Sequence, residues 1–206
     1  MARSRPMLLT AALSAAAVLG YLAYRSLDSG DAPGAPGGPD TAATDAQPLA
    51  VETLPEFSLG NLAGEQQSIK SWPGKPLLIN FWATWCGPCL REIPMLKQLQ
   101  TTRPDLQVVG IAIDKPDLVV AFADNMQFNY PILVGQSEAW AAAAELGVNI
   151  YALPFTVFTG GDGSILGVHT GELHAEHLDA FSAVAADLAA GKIDVQQARA
   201  RITAGI

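Results

Sequence analysis

The chain has 206 residues, 50% of them hydrophobic and 16% charged, which suits one well-buried core of ordinary domain size and excludes two. Its 20 acidic residues against 12 basic give a formal net charge of −8. No cluster of Lys and Arg offers the surface that phosphate backbones require, so nucleic acid is excluded and proteins or small molecules remain as partners.

The chain opens "MARSRPMLLTAALSAAAVLGYLAYRSLD", with Arg3 and Arg5 ahead of an uncharged apolar run from Met7 to Tyr24. As a helix this run of about 18 residues spans roughly 27 Å, close to a hydrocarbon core. The balance of arginines predicts residues 1–6 in the cytoplasm, a single-pass signal-anchor over 7–24 and everything after it outside. A cleaved signal peptide competes with this reading, but the Ala-x-Ala sites around Ala15 to Ala17 lie inside the run rather than after it. No cysteine near the N-terminus could carry a lipid, and "RSR" is not a twin-arginine pair. Residues 25–52, rich in Pro, Gly, Ala and Asp, have little to bury and read as a disordered tether.

From Thr53 the pattern changes. "TLPEFSLGNLAGEQQSIKSW" alternates short apolar positions around Gly60-Asn61 and Gly64, which predicts an N-terminal β-hairpin. "PLLINFW" (76–82) is a continuous apolar run of strand length, suited to a strand buried on both faces, and it leads straight into "ATWCGPC". Leu90, Ile93, Leu96 and Leu99 then recur at helical spacing. Cys86 therefore sits at the start of a helix with Pro88 in its first turn, where a missing N–H costs nothing. Pro94, unable to bond back to Leu90, should kink that helix.

Further strands are predicted over 106–113 and 130–134, and helices over 117–128 and 137–148. "FTVF" and "ILGVH" flank the turn "TGGDGS" as a hairpin, a closing helix covers 172–190, and a short amphipathic helix follows at 193–202 within a C-terminal tail of 191–206. Strands alternating with helices, then a hairpin and a last helix, define an α/β sandwich around a mixed sheet.

Two cysteines three positions apart admit three chemistries. A structural zinc site needs four ligands, and His174 and His177 would have to complete it, although both read as solvent-side residues of the closing helix. A structural disulfide across so short a loop removes little chain entropy, and a domain of this size needs no staple. A cycling dithiol fits best, because unpaired N–H groups and the positive end of the helix dipole stabilise a thiolate at Cys86. Cys86 is then the exposed nucleophile, and Cys89, one turn further in, resolves the mixed disulfide.

"FWATWCGPC" after an apolar strand, the proline five residues past the second cysteine and "LPFTVF" before a hairpin resemble the thioredoxin fold. "LPEFSL", "GKPLLINFWATWC" and "CLREIP" resemble more specifically the membrane-anchored TlpA/ResA-like thiol-disulfide oxidoreductases, related to the cytochrome c maturation reductases. The resemblance covers about residues 53–190. It implies Cys86 as attacking and Cys89 as resolving cysteine, with Gly87 and Pro88 between them as tuning residues. It places Pro154 in a cis-proline loop beside the disulfide, with Leu153 presenting its backbone to substrate and Trp85 forming part of an apolar docking surface. An ordinary strand-starting proline is the bland reading of Pro154.

Cytoplasmic thioredoxins carry a buried aspartate where this chain has Asn80, so that proton acceptor is lacking. Glu92, three residues after Cys89 and on the same helix face, offers a substitute, as the resemblance implies; by itself it would read as a solvated surface residue. Trp82 reads as core, His169 as structural, and Asp114 and Asp117 as loop solvation or helix capping.

The Gly-Pro dipeptide, shared with thioredoxin, favours a reductant: thioredoxin sits at roughly −270 mV against roughly −120 mV for the oxidant DsbA. The implied partners are exported proteins with oxidised cysteines, apocytochrome c first and the copper-site cysteines of a respiratory oxidase second, plus an integral-membrane electron donor. No metal or organic cofactor is required. A thiol peroxidase of the redoxin group is an alternative, as is a copper metallochaperone using His169 or Met95 beside its thiols.

Overall fold

The computed structural model describes residues 51–148 and 152–205. The expected anchor at 7–24 and the tether as far as residue 50 lie outside the described residues. Among the described helices, none is long and apolar enough to cross a membrane.

Strands β1 (Ser58–Asn61), β2 (Gln66–Ser68), β3 (Leu77–Trp82), β4 (Gln107–Ile113), β5 (Ile132–Gly135), β6 (Phe155–Thr159) and β7 (Ile165–Thr170) form one sheet in the order β2-β1-β5-β4-β3-β6-β7. β3 lies near its middle, parallel to β4 and antiparallel to β6. The sheet is therefore mixed: β4 and β5 are parallel, whereas β1 pairs antiparallel with both β2 and β5, and β7 with β6.

All six residues of β3 are buried, because both faces of the sheet are covered. Successive side chains alternate between those faces. Leu78 and Trp82 join one core cluster, which also contains Cys86, Cys89, Ile93 and Leu96; Leu77, Ile79 and Phe81 join a second on the other face. Asn80 shares its face with Leu78 and Trp82, so this polar residue is aimed at the helix carrying the cysteines.

That helix, α1 (Gly87–Thr102), begins at Cys86, whose sulfur accepts from the Cys89 N–H at 3.3 Å, and runs on through Pro94. Its buried stripe is Cys89, Glu92, Ile93, Leu96 and Leu99. Helices α2 (Pro116–Met126) and α3 (Ser137–Glu145) follow β4 and β5. Helix α2 stops short of Phe128 because Gln127 turns into the left-handed region at φ 51° and its N–H closes on the Ala123 carbonyl.

The remaining helices are α4 (Ala175–Ala189) and α5 (Val195–Gly205). Helix α4 starts three residues later than the sequence suggests, because residues 171–174 are engaged elsewhere. Helix α5 packs on α4 and β7, with Ile202 against Gly167, where any Cβ would fall 2.6 Å from the isoleucine. Gly110 on β4 is equally confined: a Cβ there would lie 2.7 Å from Ile132 and 3.1 Å from the Trp82 indole nitrogen.

Candidate active site

β3 ends at Trp82, and the chain crosses Ala83, Thr84 and Trp85 to reach Cys86. This short bridge is fixed from β4. The Asp114 carboxylate, buried at the end of that strand, accepts from the Thr84 N–H (3.2 Å) and hydroxyl (2.6 Å) and from the Lys115 N–H (2.8 Å). Asp114 is thus a structural tie beneath the cysteine loop rather than a solvated loop residue. Asp117 lies in the first turn of α2.

Cys86 and Cys89 form a disulfide. Cys86 is only 5% exposed and Cys89 fully buried, which corrects the expectation of an exposed nucleophile. The bond draws the Cys86 sulfur against the first turn of α1 and into the core cluster that includes Ala83, Cys89 and Ile93. Of the pair it remains the one a partner can reach. Trp85 stands 70% exposed immediately before it, whereas Trp82 is core, flanked by Phe122 and Phe128. The Trp82 indole N–H is buried without a hydrogen-bond partner.

Leu153-Pro154 is a cis peptide. The register pairs Phe155 with Phe81, which puts Pro154 at the end of β3 from which the cysteine loop departs. Leu153 is partly buried against the same core cluster as the cysteines. Gly87 and Pro88 occupy the first turn of α1.

Glu92 is fully buried, three residues beyond Cys89 on the stripe that faces the sheet. One carboxylate oxygen accepts from the Asn80 amide at 2.9 Å, and the other accepts from the Leu173 N–H. The same Asn80 amide nitrogen donates to Thr156 Oγ1 at 3.1 Å, across the direct β3–β6 pair. Burial pushes the Glu92 carboxyl up to about 7; the Leu173 and Asn80 bonds oppose this, Glu172 adds to it and Arg91 subtracts. A carboxyl that titrates near neutrality, one helical turn from a buried thiol, can exchange a proton with it in either direction. Sequence reasoning placed Asn80 and Glu92 separately. It missed Thr156 and Leu173, although a cross-strand threonine two residues past the Leu-Pro step was a local signal for the first.

The histidines lie beside this group. The rings of His169 and His177 meet at a tilt of 42° with centroids 4.4 Å apart, His174 N–H donates to His177 Nδ1 at 3.0 Å, and Met95 packs partly buried against the core. Among the described residues, no group of three or more His, Cys, Asp or Glu is arranged to hold a metal ion.

A C-x-x-C disulfide at a helix N-terminus and a cis-proline on the strand next to the one that leads into it, set in a mixed sheet covered by helices, define a thioredoxin-fold thiol-disulfide oxidoreductase. The Redoxin family model matches residues 49–188, and the chain belongs to that family. It is 34% identical to the thioredoxin-like protein YneN of Bacillus subtilis, over 61% of this chain and 74% of YneN. It is 28% identical to the thiol-disulfide oxidoreductase ResA of Geobacillus kaustophilus, over 66% of this chain and 78% of ResA. Among solved structures it is similar to a thiol:disulfide interchange protein of the thioredoxin family from Chlorobium tepidum, with a TM-score of 0.58 and 29% identity, over 65% of this chain and 95% of the other.

Proposed function

We propose that the protein is a membrane-tethered, extracytoplasmic reductant of disulfides in exported proteins. The observation that carries its chemistry is the buried Glu92 carboxyl, held by Asn80 and Leu173 one turn from Cys89. In the reduced protein, the Cys86 thiolate attacks one sulfur of the substrate disulfide and displaces the other as a thiolate, giving a mixed disulfide. Cys89 loses its proton to Glu92 and attacks the Cys86 sulfur. The substrate leaves as a dithiol, and the protein is left with the Cys86–Cys89 disulfide. Two electrons pass to the substrate in each cycle; its two thiolates take up one proton from Glu92, which had received it from Cys89, and one from solvent, and an integral-membrane donor returns the electrons.

The direction of transfer is supported by Gly87-Pro88, the dipeptide of a reducing thioredoxin. The location is supported by the arginine-flanked apolar run at 7–24 and the Pro/Gly-rich tether behind it. Haem-attachment cysteines of apocytochrome c are the leading substrate, and copper-site cysteines of a respiratory oxidase the second. The exposed Trp85 beside Cys86 supplies an apolar contact for substrate, and the Leu153-Pro154 segment, at the same end of β3, supplies a backbone edge.

Titration of the full-length protein in dithiol buffers tests the direction. A potential near that of thioredoxin supports a reductant, whereas one near that of DsbA makes the protein an oxidase or isomerase and overturns the proposal.

A further inference from the structure

The segment between β7 and α4 reaches the active site three times in three residues. The Gly171 N–H donates to the Pro154 carbonyl at 2.9 Å, with Gly171 at φ +104°, a conformation that favours glycine. The Glu172 carboxylate takes a two-pronged grip from Arg91 of α1, with Nε at 2.8 and 3.1 Å from its two oxygens and Nη2 on Oε2 as well. The Leu173 N–H donates to Glu92.

The last two contacts are mechanically one. The Leu173 N–H belongs to the peptide plane that starts at the Glu172 Cα, so holding the Glu172 side chain holds that plane. The carbonyl of the same plane accepts from His169 Nε2 at 3.3 Å, which fixes its rotation from β7. Arg91 and Glu92 are neighbours on α1, so the helix that carries the buried carboxyl also carries the residue that pins its hydrogen-bond donor.

We propose that Arg91 and Glu172 form a positioning clamp that seats the Leu173 N–H on Glu92, and so governs how readily Glu92 accepts the proton of Cys89. The clamp rests on the proton-acceptor reading of Glu92 given above. It contributes little to overall stability, because both side chains reach solvent (63% and 23% exposed) and such pairs are weak. Its effect is geometric, and it falls on a hydrogen bond to a buried carboxylate, where small displacements matter most.

The charged and titratable groups facing Glu92 are Arg91 on its own helix, Glu172 on the loop and Tyr130 ahead of β5, beside the neutral Asn80 of β3 and Thr156 of β6. His174 acts on Glu172. This arrangement separates a positional clamp from a purely electrostatic one. Arg91→Met removes a positive neighbour, leaves Glu172 unbalanced and frees Leu173, and all three changes push Glu92 upward. Glu172→Leu removes a negative neighbour and leaves Arg91 unopposed, so charge alone would push Glu92 downward, whereas the loss of the Leu173 seat pushes it upward.

The experiment is a carbon NMR titration of the Glu92 carboxyl in the full-length, disulfide-bonded protein, with the signal assigned by its loss in Glu92→Gln. Both Arg91→Met and Glu172→Leu should move the midpoint upward by roughly half a pH unit or more, and Arg91→Lys, which keeps one contact, by less. Thermal unfolding should hardly change. A downward shift in Glu172→Leu, or no shift in either variant, overturns the clamp. The pH profile of disulfide reduction by the same variants, read after reduction, then tests the underlying reading. A moved midpoint with an unmoved profile keeps the clamp and removes Glu92 from proton transfer.

Discussion

The two ends of β3 have the same burial and opposite characters. At its start, the Leu77 N–H donates to Thr159 Oγ1 and the Gln107 N–H to the Pro76 carbonyl. Nearby, the Ile165 N–H donates to the Glu52 carbonyl, and Arg199 of α5 donates to the carbonyls of Ile165 and Glu52. Polar groups there are handed to partners, and nothing reactive is present. At its finish lie a fully buried carboxyl, a buried indole N–H with no acceptor, an exposed tryptophan and a disulfide. One end of the strand consolidates the fold, and the other carries groups that cost stability and can do chemistry.

The comparison predicts that substitutions at the finish change activity and those at the start change only stability. The largest effect should come from Cys86→Ser, which reduces turnover of a protein disulfide to background. Cys89→Ser should instead hold its partner as a mixed disulfide visible on a non-reducing gel. A Cys89→Ser protein that still released reduced substrate at the normal rate would refute the resolving role.

Next in size is Glu92→Gln, which should slow reduction by roughly 100-fold at neutral pH. It should also change how stability depends on pH. Burial lifts Glu92 from 4.5 to about 7, so between those values the folded state holds a proton that the unfolded state has lost. The resulting stabilisation is fully present below pH 4.5 and disappears as pH rises through 7, an effect on the order of 3 kcal/mol. Urea unfolding at pH 5 and pH 8 should show this loss in the native protein and its absence in the glutamine variant. Equal slopes in the two proteins would contradict the buried titration.

At the other end of the scale are two changes remote from the disulfide. Gly167→Ala drives a methyl group into Ile202 and should cost about 1–3 kcal/mol by forcing α5 off β7, with turnover of the folded protein unchanged. Arg199→Ala gives up two hydrogen bonds to carbonyls and should cost about 1 kcal/mol, again without altering turnover. A fall in turnover of the folded protein in either variant would break the division between the ends of the strand.

What the sequence made readable follows the range of the interactions. β3 and β4 were legible because a strand buried on both faces is almost wholly apolar, and the start of α1 because a proline two residues after Cys86 suits a first turn. Glu92 was legible in part: it falls on the stripe of Cys89, Ile93, Leu96 and Leu99, so its position marked it as inward while its charge marked it as surface. The contacts that decide between those readings come from Asn80, 12 residues away, and Leu173, 81 residues away, and no local pattern encodes them. The late start of α4 has the same origin: Glu172 is a good helix former by itself, but the fold uses it to reach Arg91. Asp114 was misjudged for a similar reason, since its partner Thr84 lies 30 residues back.

The narrow exposure of the Cys86 sulfur bears on leakage. Thiol-disulfide exchange requires the attacking sulfur to approach in line with the bond it breaks, so a cysteine only 5% exposed, next to an exposed tryptophan, admits attack along few directions. A partner that presents a cysteine on a protruding segment can satisfy that line of approach, whereas stray thiols arriving at random angles mostly fail. The oxidised pair is therefore shielded from reduction by adventitious thiols through the shape of the aperture.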